Sequence, residues 1–216
     1  MLVTAGPTYE DVDPVRFIGN RSSGRMGVAI AAEAVRRGAR VTLVMGPSTL
    51  ELPPVDEVVR VRSAGEMHRE VTERADRVHV IVMAAAVADY TPADPADQKV
   101  PKRGDTLTLV LRRTPDILGD LGLRRLTTGT GPLLVGFAAE TEDLIAHATA
   151  KRESKHVDLI VANDVSRADR GFDVDANEVT IIGPHGPEAL PLQTKSRVAA
   201  EILNRVEALL SRNSKP

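Results

Sequence analysis

Short apolar runs and stretches with helical spacing follow one another along the chain. The runs predict β-strands, and the longest is nearly continuous, as expected of a central parallel strand that is covered on both faces. In the first half the runs are residues 2–5, 41–45, 58–61 and 78–87. Over residues 28–37 the apolar positions recur at helical spacing, and Gly38 follows as a natural helix stop. This half therefore predicts parallel strands joined by helices.

The second half repeats this alternation. Its strands are predicted at 133–137, 159–162 and 178–182, and its helices around 142–155 and from a Thr194 cap to Leu210. The last of these strands precedes a Gly-Pro-His-Gly-Pro turn, which predicts a small late β-hairpin. Residues 211–216 are expected to fray. We therefore predict one α/β domain over residues 1–216, with a doubly wound, mostly parallel, Rossmann-like sheet.

Two local signals mark helix starts, and one segment has no periodicity. Ser63 and Glu66 have the spacing of a capping box. In residues 114–116 the Thr can cap a helix, the Pro fits its first position and the Asp suits its positive end. Residues 90–105 are rich in proline and charge, and we predict that they form a mobile flap.

Charge and composition exclude several classes of function. Lys and Arg total 28 against 30 Asp and Glu, a net charge of -2, so no positive field attracts nucleic acid or anionic membranes. Aromatic residues are only 2% of the chain, too few for base-stacking platforms. Cysteine is absent, which removes disulfides, thiolate nucleophiles and iron–sulfur clusters. No signal peptide precedes the first strand, so we expect a cytoplasmic protein without nucleic-acid or membrane partners.

Residues 19–27 form a loop of small residues that runs into a helix start. Free backbone N–H groups and the helix dipole make such a place an anion site, and glycines let a phosphate approach the main chain. Ser22 and Ser23 can add hydroxyl donors, and a plain capped turn is the alternative interpretation. Gly24 and Gly27 supply only the second half of the dinucleotide fingerprint, and the second strand ends without a carboxylate. An NADP-type oxidoreductase is therefore the alternative hypothesis.

Other candidate groups follow the predicted strands, where ligands bind in such sheets. Asp89 can hold a sugar hydroxyl or a base amine, or cap a turn. Phe137 can stack on a base or belong to the core. Lysine is scarce, with six among the 28 cations. Lys99 lies on the flap, whereas Lys151 and Lys155 lie four apart on one helix face, where both can reach one phosphate or simply face solvent.

Several motifs are missing from the sequence. It has neither a P-loop nor a Gly-x-Ser-x-Gly elbow, and its five histidines lack metal-ligand spacing. Asn163 and Asp164 follow the strand at 159–162 and can shape a site or make a turn. The residues by themselves thus predict a nucleotide-binding α/β domain, either an enzyme that works by placing phosphates or a nucleotide-sensing module. They do not identify the metal ligands.

Six segments together resemble the phosphopantothenate-cysteine ligase family, which is usually the C-terminal half of a bifunctional coenzyme A biosynthesis protein. These segments are residues 3–8, 13–20, 22–24, 84–90, 136–141 and 162–165. The resemblance implies that CTP, with Mg²⁺, activates the carboxylate of 4'-phosphopantothenate as an acyl-cytidylate, which L-cysteine then attacks. It also implies a homodimer that is fused to, or partnered with, a flavin-dependent decarboxylase.

The resemblance further implies roles for individual residues. CTP would contact Met83, Ala84, Ala85, Asp89, Lys99, Pro115, Asp116, Ile117, Leu118, Phe137, Lys151 and Lys155. The substrate and its phosphate would contact Arg16, Asn20, Ser22, Ser23 and Gly24. Asn20, which would hold the intermediate, and Lys99 would be the catalytic residues, and Arg16 would act across a dimer interface. The family flap carries Lys-x-Lys-Lys, whereas here residues 99–102 are Lys-Val-Pro-Lys. The decarboxylase half is missing, so we expect no decarboxylation.

Overall fold

The predicted strands and helices are present in the computed structural model, which describes residues 1–102, 104–140, 142–164 and 176–213. The strands are β1 (Leu2–Ala5), β2 (Tyr9–Asp11), β3 (Phe17–Gly19), β4 (Thr42–Met45), β5 (Glu57–Arg60), β6 (Val80–Met83), β7 (Tyr90–Pro92), β8 (Leu111–Arg113), β9 (Leu133–Glu140), β10 (Leu159–Asp164), β11 (Ala176–Gly183) and β12 (Gly186–Thr194). The helices are α1 (Arg25–Arg36), α2 (Ala64–Arg74), α3 (Ile117–Thr128), α4 (Leu144–Ser154) and α5 (Lys195–Asn213), with a short 3₁₀ helix at Ala75–Arg77.

Eight strands form one sheet in the order β12-β11-β10-β9-β6-β1-β4-β5. The strands from β10 to β5 are parallel, whereas β11 pairs antiparallel with β10 and β12 pairs antiparallel with β11. The parallel strands have the doubly wound order, in which the direction of winding reverses between β1 and β6. The predicted fold class is confirmed. The late hairpin is larger than expected, because β11 and β12 extend the main sheet to its edge.

Two apolar clusters cover the two faces of the sheet. Successive side chains of a strand point to opposite faces, and β10 shows the result. Val161 shares one cluster with Ile202 of α5, and α1 packs on the same face. Ile160 shares the other cluster with Met67 of α2 and Leu121 of α3, and α4 packs there too. The ends of the strands, between these two layers, are the place where a ligand can reach the backbone.

Two glycines bring the start of α1 against the end of β1. A Cβ on Gly27 would lie 2.5 Å from the Cβ of Ala5 and 2.7 Å from the carbonyl oxygen of Thr4. Gly24, the N-cap, has a φ of 87°, and a Cβ there would lie 2.9 Å from the amide nitrogen of Gly6. These positions accept only glycine, since a side chain would collide with backbone. The half-fingerprint seen in the sequence therefore serves close helix–strand packing.

The central strand β6 is shorter than the apolar run that predicted it. It ends at Met83, and amides in the next residues bond to β1 and to the segment that follows it. The Ala85 amide donates to Oγ1 of Thr4 (3.1 Å), and the Ala88 amide donates to Oγ1 of Thr8 (2.9 Å). Both threonines are fully buried. Because these hydroxyls satisfy the backbone, the chain leaves the sheet here and lines the candidate site instead.

The helix boundaries differ from the predicted ones in three places. Asp116, not Thr114, caps α3, because its Oδ1 accepts from the Gly119 amide (3.0 Å). The Thr114 hydroxyl donates instead to the Ala88 carbonyl (2.6 Å), so it ties the start of α3 to the loop after β6. Helix α1 begins three residues earlier than predicted, and α5 continues to Asn213. The capping box of α2 and the Thr194 cap are as predicted, and residues 214–216 lie outside the described residues.

The predicted flap is partly ordered against neighbouring segments. Its first residues form β7, which pairs antiparallel with β8, and β2 pairs in the same way with β3. The Ala96 amide donates to the Val12 carbonyl (3.0 Å), which fixes the middle of the flap to the β2–β3 arm. Neither small hairpin was predicted, since three-residue strands give little periodic signal. No helix in the described ranges is long and apolar enough to cross a membrane.

Candidate functional site

A cavity of about 710 Å³ lies at the carboxyl ends of the parallel strands. Its walls come from the start of α1, the loop after β6, the start of α3, the ends of β9 and β10, and the starts of β11 and α5. This is the switch point of the sheet, where doubly wound folds bind their ligands. A cavity of this volume is within the range of small-molecule sites.

Most of the predicted site residues line this cavity. They are Asn20, Ser22, Gly24, Met83, Ala84, Ala85, Asp89, Pro115, Asp116, Ile117, Leu118, Phe137, Lys151 and Lys155. Three predicted residues are not among the described residues that line it: Arg16, Ser23 and Lys99. The fold thus brings together side chains that lie up to 135 residues apart in the sequence, between Asn20 and Lys155.

Asn20 connects two walls of the cavity. It follows β3, and its Nδ2 donates to the Val87 carbonyl (2.9 Å) in the loop after β6. The side chain is exposed to the cavity, so the amide is held by one bond and remains accessible to a ligand. An amide in this position can donate to an oxygen that gains negative charge during a reaction.

The loop before α1 has the features of an anion site. No side chain in the described part of the chain caps α1. Because Gly24, Arg25 and Met26 line the cavity, the N-terminus of α1 and the positive end of its dipole lie beside the cavity. The Gly24 amide donates to Oγ of Ser22 (3.3 Å), which orients that hydroxyl. The Ser23 carbonyl accepts from Oγ of Ser48 (2.9 Å), so Ser23 supports the loop from outside the cavity.

The lysines of the α4 region face the cavity through protein partners. Nζ of Lys151 donates to the Phe137 carbonyl (2.9 Å), and Lys155, which follows the last residue of α4, forms an ion pair with Asp116. Burial raises the pKa of Asp116, but the hydrogen bonds from Lys155 and the Gly119 amide outweigh it and hold the pKa below its ordinary value. Asp116 is thus an ionised acceptor beside two cations, an arrangement that can bind both a donor and an anion.

Arg16 holds the flap instead of lining the cavity. Its guanidinium is paired with Asp13 and donates to the Val100 carbonyl (2.8 Å). The Val100 amide donates back to Oδ2 of Asp13 (3.0 Å). Asp13 is 2% exposed and also accepts from the Val15 amide (2.9 Å). The residue next to Lys99 is therefore clamped from both of its backbone groups, a role that the sequence did not indicate.

The contacts of Asp13 and Arg16 with Val100 form a flap clamp, and its contribution to stability depends on pH. The hydrogen bonds from Arg16 lower the pKa of Asp13 well below its ordinary value of 3.8, and they outweigh the effect of burial. A carboxyl group whose pKa is lower in the folded state stabilises that state at any pH above the pKa that it has in the unfolded chain. This stabilisation is lost as the pH falls toward the pKa of the folded state. We expect Asp13→Asn to reduce the free energy of unfolding at pH 7, and the difference from wild type to shrink below about pH 4.

Amide exchange measures the same clamp locally. In Asp13→Asn at pH 7 the Val100 amide should exchange about tenfold faster, because an amide oxygen is a weaker acceptor than the carboxylate. Asp94→Asn, which changes an exposed acid of the same segment, is the matched control and should leave Val100 unchanged. Equal protection of Val100 in wild type and Asp13→Asn would contradict the clamp.

The sequence interpretation gave no site role to several residues of the cavity wall, among them two buried polar ones. Lys195 and Asn177 are buried residues that line it, and Arg25 lines it at the start of α1. The one signal for Lys195 in the sequence is the scarcity of lysine. Because most cationic positions of this chain are arginine, each lysine is a candidate for a specific role. Asn163, for which the sequence allows either a site residue or a turn residue, also lines the cavity. Val165, at the end of the last family-like segment, lies outside the described residues.

The cavity offers few carboxylates to a metal ion. Asp89 and Asp116 are the acids among its described lining residues, and Asp116 is occupied by Lys155. In the described ranges no group of three or more His, Cys, Asp or Glu side chains is placed to hold a metal. Mg²⁺ commonly uses one or two carboxylates together with substrate phosphates and water. The exposed Asp89 fits a Mg²⁺ ion that arrives with a polyphosphate.

The sheet order and the position of the cavity define a doubly wound α/β protein with a cavity at its switch point, where such folds bind ligands. The chain belongs to the family described as DNA/pantothenate metabolism flavoprotein C-terminal domain, whose model matches residues 1–210. It is 43% identical over 212 residues to the coenzyme A biosynthesis bifunctional protein CoaBC of Vibrio vulnificus. That match covers 97% of this chain and 52% of the relative, so the chain spans about half the length of the curated relatives it matches.

Solved structures agree with this assignment. A crystal structure of the C-terminal domain of CoaBC matches with a TM-score of 0.81 and 42% identity, and covers 98% of this chain and 95% of that one. A Cab2 mutant in complex with phosphopantothenate-cysteine matches with a TM-score of 0.74 at 17% identity, covering 99% of this chain and 88% of that one. At that identity the second match supports the fold alone.

Proposed function

We propose that this chain joins 4'-phosphopantothenate and L-cysteine into 4'-phosphopantothenoylcysteine, with CTP as the source of free energy. The observation that carries the proposal is the cavity at the switch point. There the fold assembles Asn20, the anion loop before α1 and the Asp116–Lys155 pair, all at positions where the family resemblance places ligand contacts. The coarser function, a step of coenzyme A biosynthesis, is supported by the family and by its CoaBC relatives.

The proposed reaction has two steps. The carboxylate oxygen of 4'-phosphopantothenate attacks the α-phosphorus of CTP, and pyrophosphate leaves. The amine nitrogen of L-cysteine then attacks the acyl carbon, its C–N bond forms as the C–O bond to the cytidylate breaks, and CMP leaves while the amine proton passes to solvent. Asn20 donates to the polarised oxygen of the intermediate, and Lys99 neutralises the developing pyrophosphate charge.

CTP fits the part of the cavity between the loop after β6 and α3. Met83, Ala84 and Ala85 line the cavity there, and the two alanines are small enough for a flat base to lie against the main chain. The carboxylate of Asp116 is suited to accept from an exocyclic base amine, and Lys151 and Lys155 are suited to neighbouring oxygens. Mg²⁺, held by Asp89 together with the phosphates, would supply charge neutralisation to the polyphosphate.

The proposal includes a homodimer and a cytoplasmic location. The β2–β3 and β7–β8 arms carry exposed apolar side chains next to one another, a pattern typical of interaction surfaces. These side chains are Val15, Phe17, Tyr90, Leu107, Leu109, Val110 and Leu111. Arg16 lies on the same arm, where a partner subunit can bring it close to a second site. Because the chain spans about half of its relatives, we also propose a fused or partner flavin-dependent decarboxylase.

A nucleotide comparison tests the use of CTP against the alternatives. We expect CTP to raise the thermal midpoint more than ATP, UTP, NAD or NADP, and pyrophosphate release in the presence of 4'-phosphopantothenate to be fastest with CTP. A larger shift with NADP than with CTP would favour an oxidoreductase. A shift with CTP but no pyrophosphate release under any substrate condition would favour a nucleotide-sensing module.

A further inference from the structure

A buried lysine and two amide side chains occupy one end of the cavity. Lys195, the first residue of α5, is 7% exposed, and Asn177 of β11 is 5% exposed. Both line the cavity together with Asn163 of β10. The Oδ1 atoms of the two asparagines are buried and find no hydrogen-bond partner in the described part of the chain. Buried acceptors of this kind cost free energy unless something donates to them.

This polar end lies on the α1–α5 face of the sheet. Asn163 alternates along β10 with Ala162 and so shares the face of Val161, which belongs to the cluster of α1 and α5. Lys195 lies near the start of α1, since it and Arg25 also line one shallow depression together. By contrast, α4, which carries Lys151, packs on the opposite face. The cavity therefore has two cationic ends, one on each side of the strand ends.

We propose that Lys195, Asn163 and Asn177 form the L-cysteine subsite. This inference rests on the proposed function, which needs three substrates. The CTP and 4'-phosphopantothenate assignments use the α3–α4 side and the loop before α1, and neither uses these three residues. In the subsite the Lys195 ammonium binds the α-carboxylate, and the two Oδ1 atoms accept from the α-amine.

The chemistry of an α-amino acid accounts for the whole cluster. A phosphoryl group could pair with the ammonium of Lys195, but it carries no N–H donor for the two asparagine oxygens. An α-amino acid has an anion and an N–H donor group on the same carbon, which matches one cation beside two acceptors. Oxygens that accept the two N–H bonds of a neutral amine also leave its lone pair free to attack the acyl carbon.

The first test compares L-cysteine with cysteamine, the same thiol amine without a carboxylate. In wild type we expect kcat/KM to be about tenfold to a hundredfold lower for cysteamine, because it forfeits the bond to Lys195. In Lys195→Met the KM for L-cysteine should rise by a similar factor and the kcat/KM for cysteamine should stay within about twofold, so that the preference disappears. Lys195→Arg, which keeps the charge, should restore part of the preference.

The second test separates the amine from the carboxylate. Asn177→Leu removes an acceptor for the amine, so kcat/KM should fall about tenfold for both L-cysteine and cysteamine. Asn177→Asp keeps an acceptor and should lose less than Asn177→Leu. Lys151→Met is the reciprocal control, since it lies at the CTP end and should raise the KM for CTP without changing the KM for L-cysteine. Thermal melts identify any variant that does not fold, and the wild-type comparison needs no variant.

Pyrophosphate release without cysteine distinguishes failure of the subsite from failure of the ligase proposal. With CTP and 4'-phosphopantothenate alone, Lys195→Met should release pyrophosphate in a single turnover at the wild-type rate. Two results would overturn the subsite: slower release of pyrophosphate by Lys195→Met, or a raised KM for CTP or 4'-phosphopantothenate with an unchanged KM for L-cysteine. Either result would indicate that Lys195 binds a phosphoryl group. Unchanged constants for all three substrates would overturn the subsite as well. No release by wild type would instead remove the ligase proposal itself.

Discussion

Replacement of Asn20 by Asp is expected to lower the overall rate of ligation by about 10²–10³-fold. The change removes the Nδ2 donor that bonds to the Val87 carbonyl (2.9 Å), so two oxygens that both act as acceptors would face each other. It also places a negative charge beside the anion loop before α1, where the proposed intermediate carries its phosphoryl group. Both effects destabilise the proposed intermediate. The carboxylate cannot donate to the polarised oxygen of the intermediate, and its negative charge repels the phosphoryl group.

The measurement is the steady-state rate of 4'-phosphopantothenoylcysteine formation, together with a single-turnover analysis of each step. Asn204→Asp is the matched control, since it makes the same chemical change on the exposed face of α5, where Asn204 accepts from Arg37 (2.9 Å). We expect that control to retain the wild-type rate. A normal overall rate in Asn20→Asp would exclude the proposed role of the amide.

Replacement of Lys99 by Ala is expected to lower kcat by about 10²-fold while the affinity for CTP changes less than about threefold. Lys99 is exposed and is not among the described residues that line the cavity, so it adds little to ground-state binding. Its neighbour Val100 is held by Asp13 and Arg16 on the β2–β3 arm, so the position of Lys99 on the flap is fixed from that side. Under the proposed mechanism, its charge would act on the leaving pyrophosphate only after a movement of the flap brings it to the cavity.

Stopped-flow binding of CTP and the steady-state kcat separate these two effects. Arg69→Ala removes an exposed cation from α2, away from the cavity, and is expected to change neither quantity. Unchanged turnover of Lys99→Ala with weakened CTP binding would contradict a role in the transition state and place the lysine in simple nucleotide binding.

The parts of the site that the sequence predicts are those fixed by local pattern and by topology. Parallel strands bring their carboxyl ends to one edge, so Asp89, Phe137 and Lys151 could be expected to meet once the strands were recognised. The same reasoning could not find where β6 ends. That depends on the buried hydroxyls of Thr4 and Thr8, which reach amides about 80 residues further along the chain.

The flap clamp and the polar end of the cavity depend on contacts that leave no periodic trace. Asp13 and Arg16 meet Val100 across more than 80 residues, in hairpins too short to show a strand pattern. A family pattern assigned Arg16 to a ligand, whereas within one chain the structure engages it with the flap. Lys195 and Asn177 come together only because β11 and β12 pair across the late hairpin, which places the start of α5 beside the end of β10.

The most direct measurement is pyrophosphate release from CTP with Mg²⁺ and 4'-phosphopantothenate, with and without L-cysteine, while CMP and the coupled product are followed. We expect pyrophosphate release in a single turnover without cysteine, and sustained formation of CMP and 4'-phosphopantothenoylcysteine only when cysteine is added. Folded protein that releases no pyrophosphate with CTP, ATP or UTP would contradict the ligase proposal. The doubly wound fold would still stand, and the protein would then be tested as an NADP-type oxidoreductase or a nucleotide-sensing module.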